Sequence, residues 1–264
     1  PATYVYCLVA AERRPGFRDV PRGLPDLGPP RLLGVSVGLW AVVADAPAGR
    51  LDAAAVERGL RDLEWVAARA AAHEAVVERW LDEAVVPLRL FTLFRDDASA
   101  LEHLRARAED VRAAAAAARG CREWTLRVLV DPARARVAAR ARADEAATAE
   151  ATASSAGQAF LERKRRERDA QRAASADVRA EARSAVEALA ARARRTFVDP
   201  APAAAERLVA EATFLVPRAG EPGFLGEAEA ACARLEAVGC EGRLSGPWPP
   251  YRAARAVAAT EPAT

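Results

Sequence analysis

The chain has 264 residues, 52 % apolar and 29 % charged, which is core material for about two soluble globular domains. Its 39 lysines and arginines are interleaved with 37 aspartates and glutamates, so the net charge of +2 lacks the concentrated basic excess of a nucleic-acid binder. No run of about eighteen uncharged apolar residues predicts a membrane span, and the opening Pro1–Tyr6 lacks the basic and apolar regions of a signal peptide, so a cytoplasmic location is expected.

Thr3–Val9, rich in tyrosine and valine, reads as a buried first strand, followed by a proline- and glycine-punctuated loop over Pro15–Pro30. Arg31–Val37 and Leu39–Asp45 read as two strands turning at Gly38, and Asp52 is placed to cap a short helix that stops at Gly59. Leu63, Val66, Ala70, His73, Val77 and Trp80 recur at three- and four-residue steps and predict one helix. Val85–Phe94 reads as a strand that Pro87 confines to an edge or a bulge. Asp96 or Asp97 caps the next helix, whose stripe is Leu101, Leu104, Ala108, Val111 and Ala115 and which ends at Gly120. A strand follows in which Trp124, Leu126, Val128 and Val130 alternate with Glu123, Thr125 and Arg127, and Asp131-Pro132 closes the unit.

The order β, β, β, α, β, α, β predicts an α+β domain over residues 1–131, a ferredoxin-like sheet with an extra hairpin and helices on one face. From Ala133 to about Arg194 the composition predicts long helices with a break at Thr148–Gly157. Strands are expected at Arg194–Val198 and Leu208–Val216, separated by Asp199-Pro200-Ala201-Pro202. A helix over Phe224–Val238 and a strand over Cys240–Ser245 complete a smaller α+β domain within residues 132–251, and residues 252–264 read as a helical or frayed tail.

The chemistry-bearing residues are few. Cys7, Cys121, Cys232 and Cys240 form no C-x-x-C pair, and with only His73 and His103 beside them a zinc site is not expected. His73 lies on an apolar stripe with no assignable serine, cysteine or carboxylate partner, which favours a hydrogen-bonded structural histidine over a catalytic base. The basic run Arg163-Lys164-Arg165-Arg166 could meet an acidic or phosphate-bearing partner. Glu162, Glu167 and Asp169 beside it favour a solvated helix face. An RNA-binding reading of a ferredoxin-like sheet, with the basic helix at 163–168, is the alternative, although Pro87–Phe94 lacks the stacking-aromatic pattern of an RNA-recognition strand. No phosphate loop, H-E-x-x-H or G-x-S-x-G occurs, so neither a catalytic residue nor a metal or other cofactor is expected.

Several segments, in chain order, resemble the GvpF/GvpL family of gas vesicle accessory proteins. Tyr4-Val5-Tyr6-Cys7 is similar to that family's opening strand, which usually has glycine where Cys7 stands. Trp65, His73 and Val76 resemble its signature helix. Pro87-Leu88-Arg89-Leu90-Phe91-Thr92-Leu93-Phe94 is similar to its P-x-R-F-G-T-x-F strand, with Leu90-Phe91 in place of Phe-Gly. Gly157-Gln158-Ala159-Phe160-Leu161 resembles its G-K-x-Y-L element, and Gly246-Pro247-Trp248-Pro249-Pro250-Tyr251 matches its C-terminal G-P-W-P-P-Y without a change.

The resemblance implies a non-enzymatic protein of gas vesicle assembly, located in the cytoplasm and at the vesicle. The implied partners are the hydrophobic shell protein GvpA and other accessory proteins, with no nucleic acid and no membrane. A shell subunit with exposed strand edges could be carried by strand addition, with the Pro87 strand as a candidate edge. Arg89, Phe91, Thr92 and Phe94, and the basic Arg163, Lys164, Arg165 and Arg166, are the expected contact residues. The stiff segment Pro247, Trp248, Pro249, Pro250 and Tyr251 reads as a structural clasp that lays its aromatics back over the junction of the two domains.

Overall fold

The computed structural model describes residues 1–147, 156–199 and 207–258. Packing divides the chain into two units, Pro1–Glu123 with the C-terminal residues from Trp248 onward, and Trp124–Pro247. Most of the expected break at Thr148–Gly157, and the prolines of the expected 199–202 linker, lie outside the described residues.

The first sheet contains β1 (Ala2–Ala10), β2 (Arg31–Ser36), β3 (Leu39–Ala46), β4 (Ala84–Pro87) and β5 (Leu93–Phe94). Its order is β2-β3-β1-β4, with β5 also pairing antiparallel to β1. β1 is therefore central, and seven consecutive residues, Thr3–Val9, are buried. A register shift between Val5 and Cys7 inverts the side-chain alternation. Tyr4, Tyr6, Cys7 and Val9 consequently share one face, and Val5 and Leu8 share the other.

Each face has its own cover. The tyrosine face packs on Val56 of α1 (Ala53–Gly59), on Val76 and Val77 of α2 (Leu63–Glu78), and on Leu24 of the proline-rich loop. The opposite face packs on Leu104 of α3 (Asp97–Ala106), on Val111 and Ala115 of α4 (Ala108–Ala118), and on Ala254 of the last helix, α8 (Tyr251–Ala258). The expectation of helices on one face is thus corrected: a central strand that is apolar on both sides must be covered on both. The single helix expected from Asp96 to Gly120 is two, meeting at Arg107, whose φ of −115° and ψ of 12° end one helix and begin the next.

The second sheet has the same strand order. It contains β6 (Cys121–Val130), β7 (Arg195–Asp199), β8 (Leu208–Pro217) and β9 (Cys240–Trp248), arranged β7-β8-β6-β9. The strand expected to close the first unit, with Trp124, Leu126 and Val128, instead lies here. Those side chains pack with Val178, Ala182 and Leu189 of α6 (Ala156–Ala190) and with Phe224, Ala231 and Leu235 of α7 (Glu221–Ala237). α5 (Pro132–Ala147) adds Ala135 to this core. The second unit therefore follows the β-helix-β-β-helix-β order of a ferredoxin-like sheet. In the first unit the proline-rich loop between β1 and β2 stands where a crossover helix would be.

Candidate functional site

The segment between β4 and β5 was expected to be continuous strand, and it is a turn. Thr92 donates to the Arg89 carbonyl through both its amide (3.2 Å) and its hydroxyl (2.7 Å). Phe91 sits inside the turn at φ 68°, a left-handed backbone that costs a bulky residue about 1–2 kcal/mol. This is the position where the resembling motif carries glycine. The pairing of both flanking strands with β1 (β4 to Cys7–Ala10, β5 to Thr3–Tyr4) leaves the intervening residues to arch outward.

A buried polar chain fixes that arch. The Tyr4 hydroxyl is 2.7 Å from His73 Nδ1, and His73 Nε2 is 3.2 Å from the Leu88 carbonyl. A carbonyl only accepts, so the His73 proton resides on Nε2, and Nδ1 accepts from Tyr4. The Tyr4 oxygen in turn accepts the Phe91 amide at 3.3 Å. Burial holds His73 in its neutral form, with its pKa lowered to about 4. All of its hydrogen-bonding capacity is spent on positioning α2 and the turn against β1.

Outside this chain stands an aromatic pair. Phe91 stacks on Trp65 with centroids 5.4 Å apart, and the Arg69 guanidinium lies 3.9 Å from the centroid of the Trp65 ring. The Trp65 ring packs over Gly59, where a Cβ would collide with it, so the helix-ending glycine is there for space. Phe91, Trp65, Thr92 and Phe94 are half-buried and Arg89 is exposed. Phe94 lies 5.3 Å from the His103 ring, on the face opposite the tyrosines. Of the basic run on α6, Arg165 is exposed, 3.9 Å from Asp169; the side chains of Arg163, Lys164 and Arg166 lie outside what is described.

The proline–tryptophan hexapeptide differs from its expected form. β9 does not stop at Ser245 but runs through Gly246 and Pro247 to Trp248, which is 40 % exposed. As an edge strand, β9 tolerates a proline that a central strand would not. Pro249 and Pro250 are buried, and Tyr251 begins α8. The amides of Arg252 and Ala253 donate to Glu123 at 2.9 and 2.8 Å. Glu123 is only 2 % exposed, and burial raises its pKa to about 7 against the pull of those amides. In the sequence Glu123 alternates with the apolar Trp124, Leu126 and Val128; in the fold the returning helix covers it.

Two further features carried no sequence signal beyond the residue types. Arg31 forms a two-pronged pair with Asp97 (2.8 and 3.0 Å) and also reaches Asp45 at 2.6 Å, while Thr3 donates to Asp97 at 2.6 Å. Asp96 is the α3 cap and Asp97 the anchor. The four cysteines are free, three of them buried, and burial raises the Cys7 thiol far above its ordinary range. Among the described residues no helix is long and apolar enough to cross a membrane.

Comparison with known proteins is consistent across sequence and fold. The family model described as gas vesicle synthesis protein GvpL/GvpF matches residues 2–252. Gas vesicle protein L of Streptomyces sp. (strain CB03234) is 35 % identical over 132 residues, a stretch covering 49 % of this chain and 48 % of that protein. The chain therefore matches about half the length of that relative. The crystal structure of the gas vesicle protein GvpF from Anabaena sp. PCC7120 superposes with a TM-score of 0.64 at 16 % identity, over 96 % of this chain and 95 % of that one. GvpF from Microcystis aeruginosa gives the same score and identity, over 96 % and 98 %.

Proposed function

Since the chain belongs to the GvpL/GvpF family of gas vesicle synthesis proteins, we propose that it is a non-enzymatic assembly factor that binds the hydrophobic shell protein GvpA and other accessory proteins. It would act as a chaperone or nucleation factor in the cytoplasm and at the growing vesicle.

The observation that supports this reading is the turn between β4 and β5. A stiff arch offers the stacked rings of Phe91 and Trp65 half-open to solvent, beside exposed Arg89. A rigid aromatic contact loses little side-chain entropy on binding and suits an apolar strand or helix of a shell subunit. All four residues of β4 are buried, so the contact proposed is with the turn (Arg89, Phe91, Thr92) and the adjoining Phe94 rather than with the Pro87 edge. The basic residues Arg163, Lys164, Arg165 and Arg166 are assigned to acidic partners among the accessory proteins. In the clasp, Pro249, Pro250 and Tyr251 have the structural share, and Trp248 is free to touch a partner.

Co-expression with GvpA tests this. The wild type is expected to keep GvpA soluble and to co-purify with it at low and moderate salt, and Trp65→Ala to reduce the recovery several-fold. Failure of GvpA to accompany the protein at either salt overturns the reading. Retention of RNA that falls steeply with salt would favour nucleic-acid binding instead.

A further inference from the structure

The second unit has an open groove of about 830 Å³ between α6 and the strand ends of its sheet. Its floor is a row at four-residue spacing along α6, in which Ala174, Val178 and Ala182 are buried and Val186 is half-buried. The facing wall is made by Val130 of β6, Val198 of β7 and Val209 of β8. Val198 is 63 % exposed, an apolar side chain facing open space.

Charge along the groove is uneven. Arg136 of α5 and Arg179 and Arg183 of α6 stand exposed beside it, and among the described residues none of the three is paired with a carboxylate. The nearby acids of α6 are committed elsewhere, Asp177 to Arg142 at 3.2 Å and Glu181 to Arg234 at 3.1 Å. Glu187 and Asp199 line the groove further along.

A row of small and branched residues at four-residue spacing is a surface into which the ridges of another helix fit. From Ala174 to Glu187 the floor extends ~20 Å, about four helical turns. The groove is bordered by β7, an edge strand of its sheet, but the apolar row and the three cations lie on helices, which suits a helix more than an added strand. We propose that this groove receives an amphipathic helix of a partner protein, its apolar stripe on Val178, Val186 and Val198 and its acidic flank against Arg136, Arg179 and Arg183. The proposal is independent of shell-protein binding at the Phe91 turn.

The test uses the full chain and two labelled helical peptides of about 18 residues, ~27 Å of helix. Both carry the same leucine stripe, one with a glutamate flank and one with a lysine flank, and fluorescence anisotropy reads their affinities. The glutamate peptide is expected to bind about tenfold or more tightly than the lysine peptide, and the double variant Arg179→Glu/Arg183→Glu to reverse that preference. Val198→Asp, at an exposed site, should weaken the glutamate peptide about tenfold while leaving the circular dichroism spectrum unchanged. Equal affinities, unaltered preference in the charge-swapped variant, or no binding of either peptide overturns the proposal. So does full-strength binding to Val198→Asp, which would reduce the groove to a charged patch.

Discussion

Phe91 lies on the Trp65 ring at 5.4 Å, with planes inclined by 28°, while its own backbone occupies the left-handed region at φ 68°. The two facts oppose each other energetically. The backbone costs a bulky side chain about 1–2 kcal/mol, and the stacked pair returns about 0.5–1.5 kcal/mol beyond its buried area.

Phe91→Gly should therefore change stability by less than about 2 kcal/mol, because relief of strain offsets much of the lost stack and half-buried ring area. Trp65→Ala should cost about 2 kcal/mol or more, leaving the strain in place without its compensation. In a double-mutant cycle read by urea unfolding, Trp65→Ala should cost less in the Phe91→Gly background. A loss above about 3 kcal/mol for Phe91→Gly alone would show that the side chain supplies far more than stacking.

Gly23 is held against the Tyr6 hydroxyl. That hydroxyl accepts the Leu24 amide at 2.9 Å, and a Cβ on Gly23, already at φ 77°, would overlap the phenol oxygen. Gly23→Ala is expected to cost about 2–4 kcal/mol, the sum of left-handed strain and displacement of a buried ring. Tyr6→Phe removes the clashing oxygen, so Gly23→Ala should be milder by about 1 kcal/mol or more in that background. Equal costs in both backgrounds, measured by chemical denaturation, would place the penalty in the backbone alone.

The elements that were legible in the sequence are those governed by local rules. Asp52 and Asp96 each accept amides of the helix they precede, and the periodic stripe of α2 is buried from His73 onward. Its first member, Leu63, is 83 % exposed, since apolarity alone does not place a residue in the core. What was not legible depends on tertiary partners. Phe91 reads as strand because β-propensity reports packing rather than backbone sign. The burial of Glu123 was not legible because the helix that covers it comes from residues far along the chain. The inverted alternation in β1 was invisible because both of its faces are apolar, so a one-residue slip leaves no mark on the pattern. At the candidate site, Phe91, Thr92 and Phe94 could be chosen by resemblance, but their arrangement as an arch could not.

His73 makes the protein sensitive to acid. Its folded pKa, about 4, is depressed below the 6.5 of a free imidazole, so its contribution is complete above pH 6.5 and is lost as pH falls toward 4. The loss approaches about 3 kcal/mol if the unfolded histidine titrates freely. His73→Gln removes the proton uptake, and the slope of stability between pH 6.5 and 4 should change accordingly. An unchanged slope in denaturation midpoints across that window would show that His73 can be protonated in place.

Glu123 acts in the opposite sense. Its pKa rises from 4.5 to about 7 on folding, so its contribution is complete below pH 4.5 and is lost as pH climbs through 7. Between pH 4.5 and 6.5 the two groups offset, and the wild type should be nearly flat there with respect to them. Glu123→Gln keeps an oxygen to accept the Arg252 and Ala253 amides and abolishes the titration. It should match the wild type at pH 4 and exceed it at pH 8 by about 1–3 kcal/mol. Glu123→Ala, which leaves both amides without an acceptor, should cost about 1–2 kcal/mol at pH 5 and speed hydrogen exchange at residues 252–254 before the rest of the first unit. Greater stability of the wild type than of Glu123→Gln at pH 8 would mean that the buried carboxylate gains more from the amide ends of α8 than it loses to burial.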